Sequence, residues 1–265
     1  MSRAPRPLTG RPLVEALIDG WRPLARLDVD GFALLRSRGV TRRAHSAVAL
    51  DAPDSPSALL RAVERIEGLC AAAGEPATFR ILDLHGPEPL DALLAERGYT
   101  LEGRSAVQEI ALDRAPAPAP AAEIRVGGLD EEWFEAAWRL APRPGEEARR
   151  TLHDILAGTP AVQVLLRPAP GEAPVAVGRA ALVETGRERT SVLNQIAVDP
   201  AHRRQGLGRD VSRTLLAVAA RQGAVRALLE VEEDNRAACA LYRGLGSREL
   251  GLYHYRVGAA PAEHA

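Results

Sequence analysis

The chain has 265 residues, 46% of them hydrophobic and 26% charged, and its formal net charge is -1 at pH 7. This length exceeds the usual size of one domain, which favours two domains with separate cores. A net charge this close to zero does not give the positive electrostatic field of a dedicated nucleic-acid binder. It therefore disfavours nucleic acid as the main partner.

Residues 1–12 contain no apolar segment of the kind that signal peptides carry. No stretch approaches the roughly 20 apolar residues that a membrane-spanning helix needs. The two cysteines, Cys70 and Cys239, lack the paired spacing of metal or redox motifs. We therefore predict a cytoplasmic protein that uses neither a membrane nor a metal, and that is a monomer or a homodimer.

Alternating alanine and proline mark a boundary near the middle of the chain, in the sequence DRAPAPAPAAE that begins at position 113. Proline removes backbone donors and favours a stiff, extended spacer. We predict a first domain over residues 1–112, a linker over 113–122 and a second domain over 123–265.

Beyond the linker, apolar periodicity alternates between helix and strand. Two helical patterns come first, and three strand patterns separated by turn residues follow them. A helix that begins at Gly208, a strand, a helix and a terminal strand complete the order. The predicted segments are 130–140, 146–156, 161–166, 175–184, 190–198, 208–222, 224–231, 235–246 and 250–257.

The first half repeats the end of this pattern at an ungapped offset of 148 residues. Ala49 and Asp51, for example, fall on Ala197 and Asp199. The two copies differ at one loop, because RRQGLG at 203–208 is matched in the first copy by residues without arginine or glycine. A tandem duplication is therefore predicted, and only its second copy carries that loop.

The RRQGLG loop leads directly into a predicted helix, where unpaired backbone N–H groups and the helix dipole favour an anion. Gly206 and Gly208 let the backbone approach a phosphate, and Arg203, Arg204 and Arg209 add charge. The motifs of an ATP-binding P-loop and of a dinucleotide fingerprint are both incomplete. Taken alone, Gly-Leu-Gly also fits a turn with solvated arginines.

The wider stretch LNQIAVDPAHRRQGLGRDVSRTLL, followed by LEVEEDNRAACALYRGLG, resembles the GNAT superfamily of acyl-CoA-dependent N-acetyltransferases. The resemblance covers residues 123–258, and IAVDPAHRRQGLG is especially similar to bacterial enzymes that acetylate ribosomal-protein N-termini. The whole chain resembles actinobacterial two-copy proteins whose first copy is degenerate. The implied fold is α/β (α+β), with two tandem GNAT-like domains, each a mixed, mainly antiparallel sheet flanked by helices.

The resemblance also implies roles for individual residues. Tyr242 matches the tyrosine that donates a proton to the departing thiolate, and Glu230 matches the glutamate that serves as general base. As alternatives, Tyr242 is an interior aromatic, Glu230 is a solvated charge, and Asn235 is a helix N-cap. Glu184, Glu232 or Glu233 could also hold the base or a water chain in place of Glu230. The implied acetyl-CoA-binding residues are Ile196, Ala197, Val198, Arg203, Arg204, Gln205, Gly206, Leu207, Gly208, Arg209, Asn235, Ala238 and Tyr242.

The expected function is transfer of an acetyl group from acetyl-CoA to a primary amine by direct attack in a ternary complex, without a covalent enzyme intermediate. Two alternatives stay open: a protein that senses acyl-CoA without turnover, and an assembly scaffold. The partners are acetyl-CoA and an amine acceptor. A small metabolite, a peptide N-terminus and an antibiotic all fit as that acceptor.

Overall fold

A computed structural model describes residues 8–260. Residues 1–7 lie outside the described residues, and they include part of the segment in which no signal peptide was predicted. The helices are α1 (Gly10–Gly20), α2 (Pro56–Ala72), α3 (Pro89–Glu96), α4 (Glu131–Leu140), α5 (Glu146–Ala157), α6 (Leu207–Arg221) and α7 (Arg236–Arg243). The strands are β1 (Ala25–Val29), β2 (Phe32–Arg36), β3 (Ala47–Ala49), β4 (Thr78–Leu82), β5 (Thr100–Ala111), β6 (Glu123–Gly127), β7 (Ala161–Leu166), β8 (Ala176–Thr185), β9 (Glu188–Val198), β10 (Ala224–Glu232) and β11 (Arg248–Val257).

The strands form one sheet in the order β1-β2-β3-β4-β11-β5-β10-β9-β8-β7-β6. Most neighbours are antiparallel, and the parallel pairs are β3 with β4 and β9 with β10. This arrangement confirms a mixed, mainly antiparallel sheet flanked by helices, and it is one continuous sheet where one sheet in each half was predicted. Strands from both halves of the chain join in it, whereas the boundaries at 112 and 123 remain a prediction.

Helices cover the two faces of this sheet. Ala180 and Ala181, adjacent on β8, belong to different core clusters, and adjacent strand residues point to opposite faces. Ala180 packs in the cluster that contains Val211 and Leu215 of α6. Ala181 packs with Leu17 of α1 on the other face. The first helix of the chain therefore covers strands of the second half.

The elements predicted beyond the linker all form, with ends that shift by a few residues. α4 begins at Glu131 because the carboxylate of Asp130 accepts a hydrogen bond from the N–H of Trp133 at 2.9 Å. One strand was not predicted, namely β6, which pairs antiparallel with β7 at the edge of the sheet. Its residues EIRVG alternate polar and apolar types, so the strand pattern was present in this short segment directly after the linker and was overlooked.

The predicted repeat appears in the order and spacing of the elements. α2, β4, α3 and β5 recur as α6, β10, α7 and β11, with starting residues within three positions of the 148-residue offset. The last strands of the two copies are exchanged, since β11 lies beside β4 of the first half and β5 lies beside β10 of the second. Each half thus completes the sheet of the other.

A buried arginine joins the helices to the sheet near the centre of the second half. Arg179 on β8 is 1% exposed, and its Nη2 donates to the carbonyls of Leu156 and Thr159 at 2.9 and 2.7 Å. Its Nη1 donates to Asn194 Oδ1 at 3.2 Å and to the carbonyl of Gly20 at 3.4 Å. Burial lowers the pKa of Arg179 to about 9. The side chain therefore serves as a hydrogen-bond hub for α1, α5 and β9.

Arg179→Ala is expected to lower the free energy of unfolding by about 2–4 kcal/mol, because several buried acceptors lose their donor at once. Urea denaturation of the full chain measures this loss. Arg187→Ala is the matched control, since Arg187 is exposed in the turn between β8 and β9. A loss below about 1 kcal/mol for Arg179→Ala would contradict the proposed hub.

Candidate active site

β9 and β10 pair along only part of their length. Their parallel ladder runs from Arg189 opposite Ala224 to Leu193 opposite Leu229. Beyond that point β9 remains paired with β8, and β10 remains paired with β5. Among the residues that the structure describes, no ladder joins the ends of β9 and β10. One backbone edge of each strand therefore borders an open cleft.

A bulge in β9 accounts for this separation. Gln195 has a positive φ of 50°, and the register between β8 and β9 shifts between Val177 and Arg179. An extra residue of this kind bends the strand that contains it. Asn194, directly before the bulge, is held by Arg179 and donates through Nδ2 to the carbonyl of Gly20 at 3.1 Å. Buried hydrogen bonds thus fix the point where the cleft begins.

A cavity of about 790 Å³ occupies the side of this cleft next to α6. All but one of the residues implied to bind acetyl-CoA line it, the exception being Gln205. The structure therefore brings together residues from three elements and one loop, namely Ile196, Ala197, Val198, Arg203, Arg204, Gly206, Leu207, Gly208, Arg209, Asn235, Ala238 and Tyr242.

The loop before α6 has the conformation of an anion-binding helix start. Gly206 is its N-cap at a φ of 85°, where no side chain caps the helix. The N–H groups of Arg209 and Asp210 both donate to the carbonyl of Gly206, at 2.9 and 3.0 Å. The amides that precede them have no intrahelical partner, and they lie at the positive end of the helix dipole.

The arginine side chains of the loop differ in whether they are free to contact an anion. Arg204 and Arg209 are exposed and make no ion pair with any residue in the range 8–260. Arg203 turns back, and its Nε donates to the carbonyl of Val198 at 3.4 Å. A side chain at Gly208 would place its Cβ 3.2 Å from Leu241 Cδ1. Gly208 thus allows close packing of α6 against α7, and two unpaired guanidinium groups lie beside the start of α6, which fits a diphosphate.

Asn235 caps α7, since its Oδ1 accepts a hydrogen bond from the N–H of Ala238 at 3.1 Å. This confirms the N-cap interpretation, and the predicted cofactor contact remains a prediction. Both residues also line a second cavity of about 510 Å³, as do Ile196 and Tyr242. The two cavities therefore meet at the gap between β9 and β10.

Tyr242 lies on α7, is 9% exposed, and lines both cavities. Burial raises the pKa of Tyr242 to about 12, and the nearby Cys239 contributes to a smaller degree. Its hydroxyl consequently keeps its proton throughout the neutral range. Tyr242 is thus an interior aromatic that also borders the site, so the two interpretations of this residue are compatible.

The second cavity has walls from both halves of the chain. The first half contributes Thr41, Arg42 and Arg43, and the exchanged strand β11 contributes Tyr253 and Tyr255. His254 between these tyrosines belongs to a different cavity, where its Nε2 lies 2.8 Å from Asp91 Oδ1. The alternation along β11 therefore places only the two tyrosines beside the cleft.

Glu230 lines the second cavity and is not solvated, because only 2% of its side chain is exposed. Its Oε1 accepts a hydrogen bond from Nη2 of Arg80, and its Oε2 lies 3.3 Å from Nη1 of Arg43. Arg80 in turn lies over the ring of Tyr253, with 4.1 Å from Cζ to the ring centroid. A carboxylate of the second half is thus held by two arginines of the first.

The residues that the first half brings to this site were not predicted from the sequence. Arg43 and Arg80 lie 187 and 150 residues before Glu230, so no local periodicity connects them to it. The adjacent arginines of GVTRRAH at 39–45 are a signal that could have found Arg43, because such a pair is a candidate for a charged partner. No comparable signal marks Arg80, a single arginine within the apolar stretch TFRIL.

Metal clusters, membrane-spanning helices and disulfides are not found in the described part of the chain. Among residues 8–260, no group of three or more His, Cys, Asp and Glu side chains is arranged to hold a metal ion. No helix within this range has the length and apolar character that crossing a membrane requires. Cys70 is buried and Cys239 is half-buried, and neither forms a disulfide.

Comparison with known proteins places these features in a family. The model of the family described as "Probable histone acetyltransferase Rv0428c C-terminal" matches residues 10–256. N-alpha-acetyltransferase RimI of Mycobacterium tuberculosis is 47% identical over 72 residues, which are 26% of this chain and 44% of that protein. The chain thus spans less than half the length of the curated relatives it matches.

Solved structures share the architecture over most of the chain. A GCN5-related N-acetyltransferase from Kribbella flavida has a TM-score of 0.68 at 21% identity and covers 94% of this chain and 95% of its own. A tandem GNAT protein from the clavulanic acid biosynthesis pathway has a TM-score of 0.65 at 16% identity and covers 83% and 76%. These likenesses show the fold, and together with the family match they establish that the chain belongs to the GNAT N-acetyltransferase family.

Proposed function

We propose that the chain transfers an acetyl group from acetyl-CoA to a primary amine of a small molecule or peptide, by direct attack in a ternary complex. The observation that carries this proposal is the meeting of two cavities at Tyr242, in the gap between β9 and β10. One cavity has the phosphate-binding loop, and the other has charged and aromatic walls. Such a pair of cavities holds a donor and an acceptor against each other.

The residues of the first cavity fit the donor. The amides from Arg204 to Arg209 and the free guanidinium groups of the loop bind its pyrophosphate. The unpaired backbone edge of Ile196, Ala197 and Val198 binds its pantetheine arm as a further strand would, and Asn235 and Ala238 close the opposite side. When bound, acetyl-CoA supplies the acetyl group as a thioester beside Tyr242.

Two side chains hold and accept the protons of the reaction. Tyr242 keeps a proton on its hydroxyl because its pKa is about 12, and it donates this proton to the departing sulfur. Each carboxylate oxygen has about two acceptor positions, so Glu230 keeps acceptor capacity beyond its bonds to Arg80 and Arg43. Glu230 accepts the proton of the attacking amine, directly or through a water molecule.

Full-length protein is expected to bind one acetyl-CoA per chain and to release free thiol when an acceptor amine is added. One site is expected because the first copy has no equivalent of the RRQGLG loop. Calorimetry gives the stoichiometry, and a thiol assay across an amine library gives turnover. Binding without thiol release from any amine would favour the acyl-CoA sensor, and two sites per chain would contradict a degenerate first copy.

A further inference from the structure

Arg143 lies in the segment between α4 and α5, flanked by Pro142 and Pro144. Proline fixes its own φ and restricts the residue before it, so the backbone here has few alternative conformations. Nη1 of Arg143 donates to the carbonyl of Val40 at 3.3 Å, which anchors the side chain to the first half. A guanidinium has five N–H donors, so most remain available to the second cavity, which Arg143 lines.

The inner wall of this cavity has more positive than negative charge. Glu230 neutralises part of the charge of Arg43 and Arg80 by accepting from both. Arg143 makes no ion pair with any residue between 8 and 260, although it is half-buried. Burial, and to a smaller degree the nearby Arg43, lowers the pKa of Arg143. Arg80 does not line the cavity, so the inner wall holds two guanidinium groups, Arg43 and Arg143, and one carboxylate that Arg43 already shares with Arg80.

The charges at the rim do not cancel this excess. Arg42 lines the cavity but is paired with Glu102. Glu232, the other lining carboxylate, is exposed and makes no ion pair with any described residue. A partly desolvated cation without a counter-ion is unfavourable, and an anion that enters the cavity would offset that cost.

We propose that the acceptor amine carries an anionic group, a carboxylate or a phosphate, and that Arg143 binds this group. The proposal rests on the proposed acetyl transfer, and it names the substrate class of the same site. A planar guanidinium binds such groups through paired, charge-assisted hydrogen bonds. A cavity of about 510 Å³ accommodates a small molecule of this kind. Arg143 orients the acceptor so that its amine reaches Glu230.

The test uses glycine, β-alanine and γ-aminobutyrate, each beside its carboxamide, with phosphoethanolamine as the phosphate probe. Calorimetry measures the affinity of the full-length protein for each compound, and a thiol assay with acetyl-CoA measures kcat/KM. At least one acid is expected to bind roughly 10- to 100-fold more tightly than its carboxamide, the range for hydrogen bonds to a charged group. Tighter binding of phosphoethanolamine than of every amino acid would identify phosphate as the preferred group.

Arg143→Ala is expected to bring the ratio of acid to carboxamide affinity close to one, and Arg143→Lys to preserve part of it. Arg221→Ala is the control and should leave the ratio unchanged, because Arg221 is exposed at the end of α6 and does not line the cavity. Acids that bind no better than their carboxamides, or a ratio that survives Arg143→Ala, would overturn the anion subsite. Acids that bind through Arg143 without any thiol release would contradict the acetyl transfer and leave the subsite standing.

Discussion

Gly206→Val is expected to raise the Kd for acetyl-CoA by roughly 100-fold or more, which corresponds to losing two charge-assisted hydrogen bonds of about 1.5 kcal/mol each. Gly206 has a φ of 85°, and a Cβ there would meet no atom within 4 Å. The effect therefore comes from backbone conformation, because a β-branched residue in this region costs about 1–3 kcal/mol. The loop is expected to relax and to turn its amides away from the pyrophosphate. Calorimetry measures the affinity.

Gly171→Val separates the loss of binding from general strain. Gly171 has a φ of 84° and open space around its Cβ position, but it lies in the turn between β7 and β8, outside both cavities. The two variants should lose similar stability, and only Gly206→Val should lose acetyl-CoA. Equal affinity in both variants would remove the phosphate role of the loop.

Tyr242→Phe is expected to lower kcat by about 10²- to 10⁴-fold, the usual contribution of a general acid. The ring and its packing remain, so the Kd for acetyl-CoA should stay near that of the parent protein. Steady-state kinetics with a good acceptor, together with calorimetry, measure the two quantities. Turnover at the parent rate would mean that the sulfur leaves without this proton and that positioning carries the reaction.

Two further variants define the specificity of this result. Tyr253 lines the second cavity but not the cavity proposed for acetyl-CoA, so Tyr253→Phe should change kcat far less than Tyr242→Phe. Glu230→Gln should lower kcat most at acidic pH and recover as pH rises, because the amine then arrives without its proton. A loss that is equal at every pH would make Glu230 a positioning residue for Arg43 and Arg80.

The sequence was sufficient to predict the local structure of the second half, apart from β6 and the bulge in β9, and the residues around one cavity. Residues 196–209 and 235–242 are short segments, and each carries its own turn, cap and periodicity signals. Their meeting at the gap between β9 and β10 follows from the family resemblance. The bulge at Gln195 was not predicted, because a positive φ at glutamine has no signature in the residue types around it.

The acceptor side of the site depends on contacts that cross the whole chain. Arg80 on β4 contacts Glu230 on β10, although β11 and β5 lie between these two strands. Hydrophobic patterns do not encode this strand order. Two flanking prolines and a hydrogen bond to the carbonyl of Val40, more than 100 residues away, fix the position of Arg143. Sequence periodicity describes an element and its buried face, whereas these contacts depend on how elements from the two halves are ordered in the sheet.

The exchange of terminal strands has a consequence for synthesis on the ribosome. β4 and β5 follow each other in the chain, yet β11, the last strand to be made, lies between them. Until its 10 residues emerge, β4 and β5 both present unpaired edges. Pairing across such sequence distances is slow, and open edges of this kind promote aggregation. Nascent chains that stop before residue 248 therefore expose unpaired strand edges on β4 and β5, although both strands have already been synthesised.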